Sequence, residues 1–201
     1  MTILTAIPYA PDWNLGAAYN SIMESLPADG WACLLDHDAM FTTPVWYRQL
    51  EDAISREPQG TFTAITNRIG QMDPRWQLIQ GVDPDCHDIA FHRSIGQEMV
   101  EIPKLLDVTD EYHLMAGVMM LISKDSWISM GGFKPGLRGV DYAAHIALRN
   151  AGRRIFCIQG LYVYHWKRGD GSKFPKGTPL YNWRADLPKN DPRRKVQTVS
   201  S

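Results

Sequence analysis

A chain of 201 residues with 44 % hydrophobic and 21 % charged residues has the composition of a globular domain, which excludes an intrinsically disordered protein. The formal net charge is −1, but positive charge is concentrated after residue 166. A basic segment on an acidic body suits nucleic acid, an anionic membrane or a phosphorylated ligand. No aromatic or motif pattern supports nucleic acid, so we expect no nucleic-acid partner.

The first half of the chain alternates predicted strands and helices. Short apolar or β-branched runs predict strands at residues 3–7, 31–35 and 61–66. Apolar residues at helical spacing predict two helices, one over residues 14–26 with Asn14 as its N-cap and one from Pro44 to about residue 57.

The second half shows a clear pattern only from residue 116 onward. Residues 67–106 are polar, and we predict only a short helix there, near Ile95–Val100. The continuous apolar run at 116–123 predicts a strand. The remaining predicted elements are a helix at 124–130, a helix capped by Asp141 that ends near Ala151, and strands at 154–158 and 161–165.

Compartment is inferred from three features of the sequence. No apolar run approaches the length of a transmembrane helix, and the first residues lack the basic and apolar regions of a signal peptide. The cysteines Cys33, Cys86 and Cys157 are odd in number and far apart, which favours reduced thiols. We therefore expect a cytoplasmic protein without a transmembrane segment.

Two carboxylates, Asp36 and Asp38, follow the predicted buried strand at 31–35, with His37 between them. In open α/β sheets, ligands bind at the carboxyl ends of such strands. Carboxylates this close together repel each other unless a cation lies between them. A hard divalent ion that keeps open positions for phosphate oxygens fits this place. The alternative is a solvated turn that contains two acids.

Three features stand in a fixed order along the chain. The strand at 31–35 ends in Asp-x-Asp. The run from Gly131 to Ile155 has a Gly-Gly-Phe turn, a loop, an acidic residue that opens a helix, and an Ala-Gly exit into a strand. The last strand, Tyr-Val-Tyr-His, ends at His165 and is followed by Arg168. Together they resemble the GT-A fold glycosyltransferases of the large inverting family 2 type, which includes cellulose, chitin and bacterial polysaccharide synthases.

The resemblance implies a fold and an activity. The expected fold is a compact, Rossmann-like α/β domain of the GT-A type over residues 1–184, with a mixed, mostly parallel central sheet flanked by helices, and a basic, flexible tail over 185–201. The expected activity is metal-dependent transfer of a hexosyl or N-acetylhexosaminyl group, with inversion, from a nucleoside-diphosphate sugar that is UDP-linked by resemblance. The acceptor would be a glycan, a lipid-linked or a protein hydroxyl. A homodimer is left open.

The resemblance also assigns roles to residues. The metal, Mn²⁺ or Mg²⁺, would be held by Asp36, Asp38 and His165, a mixed carboxylate and imidazole set that suits Mn²⁺ better than Ca²⁺. The base that deprotonates the acceptor would be Asp141. The residues expected to bind the donor are Pro8, Tyr9, Trp13, Asn14, Gly16, Asn20, Asp36, His37, Arg68, Lys167 and Arg168.

The sequence departs from the family pattern in one large respect. The chain passes from Pro8 almost directly to Asn14, without the helix and strand that read the nucleotide base in the family. Base recognition would then fall to Tyr9, Asp12 or Trp13. A Gly-rich basic stretch over 167–177 predicts a lid on the diphosphate. The alternatives are a retaining transferase of the same fold, a nucleotidyltransferase, or a non-catalytic module that binds a nucleotide sugar or glycan.

Overall fold

The computed structural model describes residues 2–69 and 75–166, together with Lys189 and Asp191. Lys167, Arg168 and the predicted lid lie outside the described residues. The elements, in chain order, are β1 (Ile3–Ala6), α1 (Leu15–Ser25), β2 (Trp31–Leu35), β3 (Ala39–Phe41), α2 (Trp46–Arg56), β4 (Thr61–Thr66), a 3₁₀ turn (Arg75–Gln77), α3 (Ile89–Met99), β5 (Leu105–Asp107), β6 (Met119–Ser123), α4 (Lys124–Ser129), α5 (Val140–Asn150) and β7 (Ile155–His165).

The strands form one mixed sheet in the order β1-β2-β6-β4-β7-β3, with β5 also paired to β7. The expectation of a mixed α/β sheet flanked by helices is confirmed, but the sheet is not mostly parallel. The pairs β1–β2 and β4–β7 are parallel, whereas β6, β3 and β5 run against their neighbours. Because β6 lies reversed between β2 and β4, the residues that precede β6 share an edge with those that follow β2 and β4.

Helices cover both faces of the sheet, as the continuous apolar sequence of β2 predicts. Successive strand residues point to opposite faces of the sheet, so alternate residues of β2 pack in two different hydrophobic clusters. Ala32 and Leu34 pack in the cluster that contains residues of α1, α3 and α5, whereas Cys33 and Leu35 pack in the cluster that contains α2. All five residues of β2 are buried. This strand is therefore a rigid support for the acids that follow it.

Helix α3 is longer than the sequence predicts. It begins at Ile89, six residues before the predicted start, because the Asp88 carboxylate accepts hydrogen bonds from the backbone N–H groups of Ala90 and Phe91. Ile89 and Phe91 are exposed in its first turn. The apolar pattern therefore does not mark the start of the helix.

Two predicted strands are one strand in the structure. Residues 154–158 and 161–165 were expected to be separate, but β7 runs unbroken from Ile155 to His165. Its register against β4 shifts between Ala64 and Ile65, which accommodates the extra residues of β7 around Gly160. A side chain at Gly160 would place its Cβ 2.3 Å from the Ile102 carbonyl oxygen, so glycine is required at this bulge.

Candidate metal centre and its surroundings

The three predicted metal ligands meet at one edge of the sheet. Asp36 and Asp38 follow β2, and His165 is the last residue of β7, although β2 and β7 are not neighbours in the sheet. The short strand β3 joins them, because Ala39 pairs with His165 and the Trp166 N–H donates to the Asp38 carbonyl oxygen at 2.9 Å. The sequence did not predict β3.

The ligand atoms lie close enough to share one ion. His165 Nε2 is 3.2 Å from Asp38 Oδ1 and 3.7 Å from Asp36 Oδ2. One ligand atom from each of the three residues lies within 4.8 Å of the others, and this is the one cluster of its kind found within the described residues. Two carboxylates and an imidazole suit Mn²⁺ or Mg²⁺ in their chemistry.

The orientation of the His165 ring is set by a backbone group. Its Nδ1 lies 2.8 Å from the Arg68 carbonyl oxygen, which can only accept a hydrogen bond. Nδ1 therefore carries the hydrogen, and in the neutral ring the lone pair is on Nε2, the atom that faces the two carboxylates. This is the arrangement that metal-binding histidines usually have.

The pKa values of Asp36 and Asp38 are shifted in opposite directions. Burial, the largest cause, raises the pKa of Asp36 to about 6, and the charges of Asp38 and Asp141 add to the shift while His165 opposes it. The hydrogen bond from His165 lowers the pKa of Asp38. Burial lowers the pKa of His165, but its hydrogen bonds to Asp38 and the Arg68 carbonyl outweigh burial, so the net pKa is raised.

We predict opposite stability effects for the two isosteric amides when metal is removed. Because the folded-state pKa of Asp36 lies above its usual 3.8, its charge costs stability at pH values above about 6 and none below 3.8. The upper bound is roughly 3 kcal/mol, and with a third of the side chain exposed we expect Asp36→Asn to stabilise the protein by about 1 kcal/mol at neutral pH.

The contrasting variant is Asp38→Asn. The pKa of Asp38 is lowered in the fold, so its charge stabilises the protein at neutral pH, and this contribution is lost as pH falls through the folded-state pKa. We expect Asp38→Asn to destabilise by about 1–2 kcal/mol. Thermal unfolding of both variants in EDTA at neutral pH is the measurement, and shifts of the same sign would contradict this account.

Asp141 is placed beside this cluster but does not cap its helix, which corrects the prediction. Gly139, with φ of 69°, is the N-cap of α5, and Asp141 is the second helical residue. Its Oδ2 accepts a hydrogen bond from the Gly117 N–H at 2.8 Å and its Oδ1 accepts one from the Tyr142 N–H at 3.0 Å. The carbonyl oxygen of Val118, which follows Gly117, accepts from the Asp36 N–H at 3.1 Å. The Asp141 carboxylate therefore lies in the same region, and its charge raises the pKa of Asp36.

Two supporting residues were missed in the sequence. Burial raises the pKa of Tyr19, as do Asp36 and Asp141, so this buried phenol lies near both acids. Gln77 is fully buried, and its amide makes hydrogen bonds of 3.0 Å and 3.1 Å with the N–H and the carbonyl of Ala116, next to Gly117. No spacing in the sequence marks Gln77, because it lies in the polar stretch that has no periodic pattern.

The loop between β1 and α1 carries the residues that were predicted to contact the nucleotide base. Tyr9 is 83 % exposed and Trp13 is 74 % exposed, and Pro8 is half-buried. The loop follows β1, which is parallel to β2, so it lies at the same edge of the sheet as Asp36. His37 is exposed at that edge. Their contacts with a nucleotide stay predictions.

Three further residues predicted to bind the donor have contacts within the protein. The Gly16 N–H donates to the Gly136 carbonyl, and the Asn14 side chain caps α1 and also accepts from the Gly136 N–H. Asn20 accepts from the Phe133 N–H and donates to the Phe133 carbonyl. These side chains hold the loop that precedes Asp141 against α1. The structure thus gives them a role in joining α1 to the loop that precedes Asp141.

We expect Gly16→Ala to disrupt this joint. A Cβ at Gly16 would lie 1.9 Å from the Lys134 carbonyl oxygen, a backbone atom that cannot move aside alone. The expected destabilisation is about 2–4 kcal/mol, typical of overpacking and broken backbone contacts. Urea unfolding measures it, with Gly152→Ala, whose Cβ meets nothing within 4 Å but whose φ is 72°, as the control for backbone strain alone. An equal loss in both variants would contradict the clash.

Arg68 is largely buried, and its guanidinium lies 2.9 Å from the exposed Asp85 carboxylate. Its predicted contact with the donor would compete with this ion pair. The Asp-rich loop that contains Asp85 also supplies Asp88, which caps α3. The structure thus accounts for two of these acids through contacts within the protein.

No protein-family model matches the sequence, and no curated protein matches it either. No helix within the described ranges is long and apolar enough to cross a membrane.

Proposed function

We propose that this chain is a metal-dependent glycosyltransferase of the GT-A type, which transfers a sugar from a nucleoside-diphosphate sugar to an acceptor hydroxyl with inversion. The observation that carries the proposal is the convergence of Asp36, Asp38 and His165 at one edge of the sheet, with Asp141 facing the same region. Asp38 and His165 are far apart in the sequence, and the pairing of β3 with β7 brings them together there.

Asp36, Asp38 and His165 would hold the divalent ion. A bound Mn²⁺ or Mg²⁺ supplies Lewis-acid stabilisation of the negative charge on a diphosphate leaving group. The protein contributes a site in which Asp36 is desolvated and close to two other acids, so a cation favours its ionised form. Without a cation the charge of Asp36 is unfavourable, which supports a functional rather than a stabilising role for this acid.

Asp141 would act as the general base. In the proposed step its carboxylate takes the proton of the acceptor hydroxyl, the acceptor oxygen forms a bond to the anomeric carbon, and the bond from that carbon to the diphosphate oxygen breaks. The leaving diphosphate carries away the bonding electron pair. Backbone N–H groups of Gly117 and Tyr142 fix the orientation of the carboxylate, and glycine at position 117 leaves room beside it, since a Cβ there would lie 3.0 Å from Asp141 Cβ.

The donor would lie across the loop after β1. Exposed Tyr9 and Trp13 offer ring faces on which a nucleotide base can stack, in place of the absent helix and strand. By resemblance the nucleotide is UDP. Lys167 and Arg168 follow β7 and Trp166 in the sequence. In this proposal they contact the diphosphate.

The test is release of nucleoside diphosphate from a panel of UDP- and GDP-sugars, with a mixture of simple sugar acceptors, in Mn²⁺ or in EDTA. We expect release from one donor, abolished by EDTA and in Asp38→Ala and retained in Asp52→Ala, which changes an exposed acid of α2. The configuration of the product by NMR then separates inversion from retention. Release that is indifferent to EDTA and to Asp38→Ala would contradict the proposal.

A further inference from the structure

Asn67 holds the backbone of the predicted histidine ligand. It follows β4 and is 3 % exposed. Its Oδ1 accepts a hydrogen bond from the His165 N–H at 2.8 Å, and its Nδ2 donates to the His165 carbonyl oxygen at 3.2 Å. The ladder between β4 and β7 ends with the pair Thr66 and Val163. The Asn67 side chain thus continues the ladder by satisfying both backbone groups of His165.

The next residue holds the ring of the same histidine. The Arg68 carbonyl accepts the Nδ1–H hydrogen bond at 2.8 Å, so Asn67 and Arg68 together fix both the backbone and the imidazole of His165. If the backbone of His165 were free to shift, the ring could keep this hydrogen bond only by turning Nε2 away from Asp38. The position of Nε2 therefore depends on both contacts.

We propose that Asn67 is a positioning residue for the metal centre, which places His165 Nε2 so that it completes a site with Asp36 and Asp38. This inference rests on the metal centre of the proposed function. Outer-shell partners of metal ligands typically change metal affinity by about 10- to 100-fold when they are removed. Asn67 differs from the usual partner because it acts on the backbone of the ligand rather than on its ring.

Gln49, in α2, offers a control that contacts the same strand, β7. Its side-chain amide donates to the Gly160 carbonyl of β7 at 2.7 Å, at the bulge rather than at the metal end. Asn67→Ala and Gln49→Ala each remove a side-chain amide that contacts the β7 backbone. If these amides had a purely structural role, both variants would change Mn²⁺ binding to a similar extent.

The test is Mn²⁺ binding to the full chain, followed by the EPR signal of the free ion, with no nucleotide present. We expect Asn67→Ala to weaken binding by about 10- to 100-fold and Gln49→Ala to leave it unchanged. The decisive comparison is a double-mutant cycle with His165→Ala, in which Asn67→Ala should cause no further loss. A structural role would give the same loss in both backgrounds.

Circular dichroism establishes that each variant is folded. Should Asn67→Ala fail to fold, Asn67→Ser retains a small polar group and is judged by the same comparison. A folded Asn67 variant that binds Mn²⁺ as tightly as the wild type would overturn the inference and leave the metal centre intact. A wild-type protein that binds no Mn²⁺ would overturn the metal centre and, with it, this role of Asn67.

Discussion

Asp141→Asn is expected to lower the rate of sugar transfer by about 10²- to 10⁴-fold, the range that general bases contribute, while Mn²⁺ and UDP still bind. The amide has nearly the shape of the carboxylate but cannot take the proton from the hydroxyl of the sugar acceptor. Its single oxygen can accept from only one of the two N–H groups, those of Gly117 and Tyr142, so one N–H loses its acceptor and the loss of stability should be about 1–3 kcal/mol. Initial rates at saturating donor, together with Mn²⁺ and UDP titrations, measure the separation of these effects.

Asp125→Asn is the matched control for this variant. Asp125 lies in the first turn of α4, as Asp141 lies in the first turn of α5, but it is exposed and paired with Arg153. We expect Asp125→Asn to retain wild-type transfer. Near-normal transfer by Asp141→Asn would exclude Asp141 as the base, and it would favour a retaining transferase if the product kept the anomeric configuration of the donor.

Asp38→Ala is expected to weaken Mn²⁺ binding by more than about 100-fold, since a lost ligand should cost more than a lost outer-shell partner. The substitution removes the carboxylate that lies 3.2 Å from His165 Nε2. It leaves the Asp38 carbonyl oxygen, which accepts from the Trp166 N–H and helps to pair β3 with β7. The fold of the edge should therefore survive, and the loss should be specific to the metal.

Mn²⁺ titration by EPR, with Asp52→Ala as the control, checks this prediction. Asp52 is an exposed acid on α2 and does not belong to the cluster. We expect the control to bind Mn²⁺ as the wild type does. Equal affinities of wild type, Asp38→Ala and Asp52→Ala would mean that the bound Mn²⁺ lies elsewhere.

The buried strand that precedes Asp36 and Asp38 could be predicted from sequence, because it depends on a local pattern. The unbroken apolar run at 31–35 predicts a strand that is buried on both faces, and β2 is such a strand. Asn14 as the N-cap of α1 is confirmed for the same reason, since a cap is a short-range hydrogen bond. The sequence also predicts that Asp36 and Asp38 follow β2 directly.

The features that complete the site depend on contacts between distant residues. The strand β3 has three residues and no periodic pattern, yet its pairing with β7 brings Asp38 to His165. Asn67 bonds a residue 98 positions away, and nothing near it in sequence indicates that partner. Strand direction differs from the expectation for a related reason, because the reversal of β6 between β2 and β4 is decided by packing of the whole sheet.

The start of α5 shows how a local pattern can mislead. An aspartate at the beginning of a helical stretch is a favoured N-cap, and Asp141 was assigned that role. Gly139 caps the helix instead, with a positive φ that glycine adopts without strain. Asp141 is thereby left as the second helical residue, where its carboxylate reaches Gly117 and its charge acts on Asp36.

Calorimetric binding of UDP and GDP to the full chain, in Mn²⁺ and in EDTA, with wild type and Asp38→Ala in parallel, tests whether the metal centre holds a nucleotide. We expect one diphosphate to bind the wild type in Mn²⁺, and this binding to be lost in EDTA and in Asp38→Ala. Failure of both diphosphates to bind in Mn²⁺, or binding that is unaffected by EDTA and by Asp38→Ala, would contradict a metal-held nucleotide at this edge of the sheet.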